Sequence, residues 1–214
     1  MAPAVFLDRD GVINRLVFNP ATGSYESPHR PEAWELLPGV LEALQRLQGA
    51  GFALFLVSNQ PSYAKGKATL EHLHAIHDRL LAQLAAEKIS FTAFYYCYHH
   101  PEGSAAGYSG PCACRKPKPF FLLQARDEFQ IDLGASWMVG DQDTDVECGS
   151  AAGVKTVLVH NPDSRAYRGK SRPLFAAEDL PGAVEIILKE SSAGPGRKQL
   201  APEEKRETKD GECQ

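Results

Sequence analysis

The sequence predicts an α/β fold, a single doubly wound parallel sheet with helices on both faces. Three observations lead there. Short apolar runs alternate with amphipathic segments, glycine and proline punctuate the joins, and the polar clusters follow directly on the apolar runs. In open α/β sheets that last position is the crevice where ligands bind. The first run, residues 5–7, reads as a buried strand. A helix follows over 40–48, with Leu41, Leu44 and Leu47 on one face, opening after Pro38-Gly39 and stopping at Gly49 and Gly51. A strand over 52–57 leads to a longer helix over 69–87, marked by Leu70, Leu73, Ile76, Leu80, Leu81 and Leu84. A strand over 91–96 comes next, then a helix after Pro119 carrying Phe120, Phe121, Ala125 and Phe129. The strand at 137–139, a short helix over 143–152 stopped by Gly153, a strand over 156–159 and a final helix capped by Asp179 and ending near Glu190 complete the pattern.

Residues 1–190 therefore form one domain, and 191–214 is expected to be a disordered tail, because Leu200 is its only large aliphatic residue. At 214 residues and 43% hydrophobic content the chain can bury one substantial core. A net charge of −4 with no Lys/Arg run leaves no footprint for nucleic acid or anionic membrane. No stretch reaches the ~20 apolar residues that span a bilayer, and the N-terminus shows no basic-then-apolar signal pattern. A cytoplasmic monomer acting on a small phosphorylated metabolite is the expectation, reached together with the chemistry below.

Four polar pieces fall at the ends of successive expected strands: Asp8 and Asp10, Ser58-Asn59-Gln60, Arg115-Lys116-Pro117, and Gly140-Asp141 through Asp145. Taken singly, each has a simpler explanation as a solvated turn, a strand-end cap or a surface charge. Together, in one chain order, they make chemical sense. Two crowded carboxylates are most easily kept ionised by a hard cation such as Mg²⁺. Asp8 can attack phosphorus to form an aspartyl phosphate, and Asp10 can protonate the leaving oxygen and later deprotonate water. Ser58 and Asn59 can hold phosphoryl oxygens while Lys116 neutralises the developing charge. Asp141 adds an oxygen ligand for the cation, with Asp145 supporting it one helical turn on.

These pieces resemble the haloacid dehalogenase (HAD) superfamily of phosphohydrolases, whose signatures are the Asp-x-Asp-Gly pair, a strand-end Ser/Thr, a Lys and a Gly-Asp-x-x-x-Asp segment. The resemblance spans residues 4 to about 160. It implies that Asp8 is the nucleophile, that Asp10 is the acid and base, and that Mg²⁺ is held by Asp8, the backbone carbonyl of Asp10 and Asp141. The intervals between Asp10 and Ser58 and between Ser58 and Lys116 leave no room for a folded cap domain, so loops must recognise the substrate.

Cys97-Tyr98-His99 followed after twelve residues by Cys112-Ala113-Cys114 offers three thiolates and an imidazole, a closed set for structural Zn²⁺. The ion would serve as the core of a glycine-rich loop and tie it to Arg115-Lys116. Neither Cys148 nor Cys213 is given a role. The arrangement is similar to that of D-glycero-D-manno-heptose 1,7-bisphosphate phosphatases of surface-polysaccharide biosynthesis. That resemblance implies a phosphomonoesterase releasing the C7 phosphate, with Arg9, Ser58, Asn59, Arg115 and Lys116 contacting substrate. Histidinol phosphate, taken by relatives with a shorter loop, is the alternative substrate, and a non-catalytic zinc-loop binding module the alternative class. Two departures from the heptose pattern stand out: a longer 14–39 segment containing Arg15, Tyr25, His29 and Arg30, and Pro61, which removes a backbone donor.

Overall fold

Side-chain alternation along the first strand, β1 (Ala4–Leu7), decides the layering of the molecule. Val5 and Leu7 enter a core with Leu44, Leu47, Ile76, Leu80, Val184 and Ile187. Ala4 and Phe6 enter a second core on the opposite face with Phe55, Tyr95, Phe121, Leu122 and Ala125. Because both faces are covered, every residue of the strand is apolar and none alternates with a polar one. Emptying either core at a residue such as Phe6 would cost about 3–5 kcal/mol.

The computed structural model describes residues 1–192 and the backbone of 209–212. After β1 come a hairpin, β2 (Val17–Asn19) and β3 (Ser24–Glu26), then α1 (Val40–Gly49), β4 (Ala53–Asn59), α2 (Leu70–Ala86) and β5 (Ala93–Cys97). The second half holds α3 (Phe120–Phe129), β6 (Trp137–Gly140), α4 (Asp143–Ala152), β7 (Lys155–Val159), β8 (Phe175–Ala177), α5 (Leu180–Ser192) and β9 (Lys209–Glu212). The main sheet is parallel, in the order β8-β7-β6-β1-β4-β5-β9. It is the α/β sheet that the sequence predicts, and the helix signals act as expected. Thr69 Oγ1 accepts from His72 N at 3.2 Å to cap α2, Asp179 Oδ1 accepts from Gly182 N at 2.8 Å at the start of α5, and Gly153 takes φ +79° to close α4.

Differences from the expected elements have plain causes. β4 runs on to Asn59, past the last apolar residue, because its ladder with β5 continues through Ser58↔Tyr96 and Asn59↔Cys97 whatever the side chains. The β2–β3 hairpin and β8 have half-exposed patterns with no apolar alternation to reveal them. The tail lies outside the described residues over 193–208 and 213–214, while the backbone of β9 pairs with β5. Between β1 and β4 lie the hairpin, a single 3-10 turn at Pro31–Ala33 and α1, and between β4 and β5 lies α2, so among the described residues no folded cap covers the sheet edge. Among the described residues no helix is long and apolar enough to cross a membrane.

Candidate active site

Parallel strands deliver their carboxyl ends to one edge, and Asp8 stands just past β1 with its amide donating to Val139 O of β6 at 2.9 Å. Gly11 then turns the chain at φ +86°. A Cβ there would lie 2.1 Å from Asp141 Oδ2, so only glycine lets the two loops close together. Gly140 answers the same need on β6, where a Cβ would meet that of Asp145 at 2.1 Å. Asp8, Asp141 and Asp145 are consequently gathered so that their carboxylate oxygens lie within 4.8 Å of one another.

Among the described residues one cation enters this group. Lys116 Nζ donates to Val57 O at 2.7 Å and pairs with Asp8 Oδ1 at 2.8 Å and Asp145 Oδ1 at 2.7 Å, so the ammonium is shared between two carboxylates and a carbonyl. Burial opposes the charge on Lys116, but Asp145 and Asp8 outweigh it and hold the ammonium more firmly protonated than a free lysine. Asp145 also accepts from Gln142 N at 3.0 Å, capping α4 while it anchors the lysine. Three carboxylates against one ammonium leave excess negative charge. Burial first, then Asp145 and Asp10, push Asp8 up to about 7 against the opposing pull of Lys116. Burial, with Asp8 and Asp145, raises Asp141 as well. Both Asp141 carboxylate oxygens are fully buried and have no hydrogen-bond partner among the described residues. Oxygen donors crowded, buried and unpartnered are what a small hard cation takes up. The residues present therefore fit a divalent metal.

Asp10 is held differently. Its carboxylate accepts from Asn14 Nδ2 at 3.0 Å, from Gln60 Nε2 at 2.6 Å and from the Arg9 guanidinium at 3.1–3.3 Å. Gln60 Nε2 also reaches Ser58 Oγ at 2.8 Å and so joins two of the expected groups. Asn59 trades bonds with Lys116, its Nδ2 donating to Lys116 O at 3.2 Å and its Oδ1 accepting from Lys116 N at 3.1 Å. It thereby fixes the lysine's backbone as well as lining the cleft. That cleft, about 360 Å³, opens over Asp8, Asp10, Asn59, Lys116 and Asp145, whereas Ser58 and Asp141 are buried behind these residues and do not line it.

The second cluster lies beside it. Cys97 and Cys112 Sγ are 3.6 Å apart, Cys114 and Cys112 Sγ 3.7 Å, and His99 Nδ1 lies 4.0 Å from Cys97 and 3.9 Å from Cys114. Four ligands around one ion with metal–sulfur bonds near 2.3 Å would have edges of about 3.8 Å. Hydrogen bonding by Cys114, against the cost of burial, brings Cys97 down to about 6, toward the thiolate a metal needs. Arg115 Nη1 donates to His99 O at 3.3 Å and fastens this loop to the cleft wall.

Residues 113–183 match the HAD-hydrolase-like family model. A D-glycero-beta-D-manno-heptose-1,7-bisphosphate 7-phosphatase of Yersinia pestis is 37% identical over 191 residues, covering 87% of this chain and 97% of the relative. A D-glycero-D-manno-heptose-1,7-bisphosphate 7-phosphatase of Thermosynechococcus vestitus is 40% identical over 194 residues, covering 86% and 95%. The chain belongs to the HAD phosphatases. In three dimensions it is similar to the D,D-heptose 1,7-bisphosphate phosphatase of B. bronchiseptica complexed with magnesium and phosphate, at 31% identity and a TM-score of 0.74 over 88% of this chain and 99% of that one.

This HAD phosphatase departs from the sequence reading at several residues. Arg9 is expected to contact substrate, yet it is 1% exposed and does not line the cleft; its guanidinium is engaged by Asp10. An apolar-run boundary cannot show which way a long side chain folds back. Of the residues in the long 14–39 segment, Tyr25 and His29 line the cleft, whereas Arg15 pairs with Glu35 at the surface. The hairpin is fixed by Glu26, which accepts from Lys67 Nζ at 2.6 Å. Burial notwithstanding, hydrogen bonds from Lys67, Thr22 and Asn19 hold Glu26 down to about 2. His100 and Pro61 line the cleft as well. Gln60 and Asn161 are the residues that the sequence reading gave no role. Gln60 was within reach, as the last residue of the Ser58-Asn59-Gln60 run. Asn161, whose Nδ2 donates to Gly11 O at 2.9 Å, carries no sequence signal of its own.

Proposed function

We propose that the protein is a Mg²⁺-dependent phosphomonoesterase that removes the C7 phosphate of D-glycero-D-manno-heptose 1,7-bisphosphate through an aspartyl-phosphate intermediate. The observation that carries this reading is the Asp8 carboxylate, held at one oxygen by Lys116 and set beside the unpartnered carboxylate of Asp141. The names of the relatives from Yersinia pestis and Thermosynechococcus vestitus support the sugar. The magnesium and phosphate of the B. bronchiseptica structure support the cation.

Asp8, Asp141 and the backbone carbonyl of Asp10 would hold Mg²⁺. When bound, the ion neutralises the phosphoryl oxygens and the crowded carboxylates. Lys116 grips Asp8 Oδ1, which leaves Oδ2 to attack phosphorus in line with the leaving oxygen. Asp10 donates a proton to that oxygen as the sugar departs, then takes one from the water that opens the acyl phosphate. Ser58 Oγ and Asn59 hold phosphoryl oxygens, and Arg115 reaches the distal part of the sugar phosphate. Cys97, His99, Cys112 and Cys114 would hold Zn²⁺ as a structural ion, with all four positions filled by protein and none left for water. The uncapped cleft, walled by Tyr25, His29 and His100, suits a small polar substrate.

Side-by-side turnover of the heptose bisphosphate and histidinol phosphate with Mg²⁺ tests the reading. The heptose compound is expected to give at least about a tenfold higher kcat/KM. A preference for histidinol phosphate overturns the substrate assignment, and no phosphate release from either compound favours a binding module.

A further inference from the structure

Arg9 is a full-length cation buried beneath the cleft that never reaches it. Its Nε lies 3.3 Å from Asp10 Oδ1, and its Nη2 lies 3.1 Å from Oδ1 and 3.2 Å from Oδ2. The guanidinium carbon stands 5.8 Å from the Trp34 ring and 5.7 Å from the Tyr96 ring. Each ring is in turn tied to α2: Trp34 Nε1 donates to Gln83 Oε1 at 2.8 Å, and Tyr96 Oη lies 2.9 Å from His77 Nδ1. A planar fork held between two aromatic faces has one orientation, and that orientation faces the Asp10 carboxylate. A lysine in its place would offer a point charge and no fork.

We propose that Arg9 is a positioning residue that aims the Asp10 carboxylate at the leaving oxygen, with Trp34 and Tyr96 transmitting the placement from α2. This rests on Asp10 being the acid and base of the proposed mechanism. Transfer of the phosphoryl group from the ester oxygen to Asp8 breaks the P–O bond of the substrate and forms the P–O bond of the acyl phosphate. The electron pair goes to the leaving oxygen, and the proton that oxygen needs comes from Asp10. An alkyl or sugar alkoxide depends heavily on that proton, whereas a nitrophenolate is stable without it. Misplacing Asp10 should therefore damage one class of substrate and spare the other, and a general loss of folded protein would damage both alike.

The test compares kcat/KM, which reports the steps up to leaving-group departure, for 4-nitrophenyl phosphate and for an alkyl sugar phosphate, using the Mg²⁺-loaded enzyme and its Arg9→Lys and Asp10→Asn variants. Arg9→Lys is expected to lower the sugar-phosphate value by about 10- to 100-fold, within the range general acids contribute, and the nitrophenyl value by less than about threefold. Equal losses on the two substrates, or no loss on the sugar phosphate, overturn the proposal. Asp10→Asn separates the two layers of the argument. If it too loses both substrates equally, the acid role of Asp10 fails and the proposal falls with it. If Asp10→Asn is selective and Arg9→Lys is not, only the positioning role fails. Should Arg9→Lys not fold, Tyr96→Phe keeps the ring and drops the hydroxyl that meets both His77 and Arg9; it is expected to give the same selectivity at about threefold, and its absence overturns the proposal.

Discussion

Replacing Asp8 by asparagine keeps the shape of the side chain and removes one charge from three buried carboxylates that share a single ammonium. Without a metal that charge is costly. Burial, reinforced by Asp145 and Asp10, raises the Asp8 carboxyl from 3.8 to about 7. A group whose pKa is raised by folding favours the native state fully below its unfolded value, and that contribution drains away as pH climbs through the folded value. Here the window runs from about pH 4 to pH 7, and at 1.36 kcal/mol per unit the whole loss is ~4 kcal/mol. The part that falls between pH 5 and pH 8 is ~2–3 kcal/mol. The asparagine would have no proton to lose. Urea unfolding after dialysis against Mg²⁺-free buffer, without a chelator that would strip thiolate-bound metal, should show wild type losing ~2–3 kcal/mol relative to Asp8→Asn between the two pH values. Turnover by the variant should fall to background. Parallel stabilities at pH 5 and pH 8 would refute the claim that burial and its neighbours raise the Asp8 carboxyl, and retained turnover would refute its role as nucleophile.

Gly11→Ala would place a methyl group 2.1 Å from Asp141 Oδ2 at φ +86°, costing about 1–3 kcal/mol of backbone strain and raising the Mg²⁺ concentration for half-maximal activity at least about tenfold in a metal titration. Lys116→Met strips the shared ammonium from Asp8 and Asp145; at pH 8 it should destabilise the protein by about 3–5 kcal/mol in denaturant melts, less at pH 5, and lower kcat by ~10²–10³. Cys112→Ser should release the loop metal, read by elemental analysis, and lower kcat while raising KM, since the loop runs straight into Arg115 and Lys116. Unchanged metal content in that variant removes Cys112 from the ligand set.

What could be read in advance depended on how locally each feature is encoded. Strands buried on both faces, such as β1 and β6, are unbroken apolar runs, and their carboxyl ends could be found by the first polar residue. Asp8 and Asp141 sit at such ends, Ser58 lies one residue inside the end of β4, and Lys116 comes only after the cysteine loop that follows β5; the structure brings Asp8, Lys116 and Asp141 into one group with Asp145. The Cys-x-His and Cys-x-Cys pairs were legible because ligand spacing is itself local. The β2–β3 hairpin was not: it is half exposed, and it is held by Glu26 bonding to Lys67, forty-one residues away. The burial of Arg9 away from the cleft was not legible for the same reason, because its direction is set by Trp34 and Tyr96 on other elements. Reaction chemistry is written at strand ends, and the walls of the cleft are written in long-range contacts.

The place of β1 in the sheet has a consequence for how the protein comes into being. β1 is central in the sheet, with β4 on one edge and β6 on the other, and it is made before both of them. Asp8 thus emerges well before Asp141, its companion in the carboxylate cluster, which emerges only after β6. At ribosomal rates of roughly 5–20 residues per second the interval is on the order of ten seconds. Throughout it the apolar edge of β1 that β6 will cover has no partner, and non-local parallel pairing is slow to form even once the partner exists. The nascent chain must therefore guard this fully buried strand until β6 arrives, and no truncated product ending before Asp145 contains the complete carboxylate–lysine cluster.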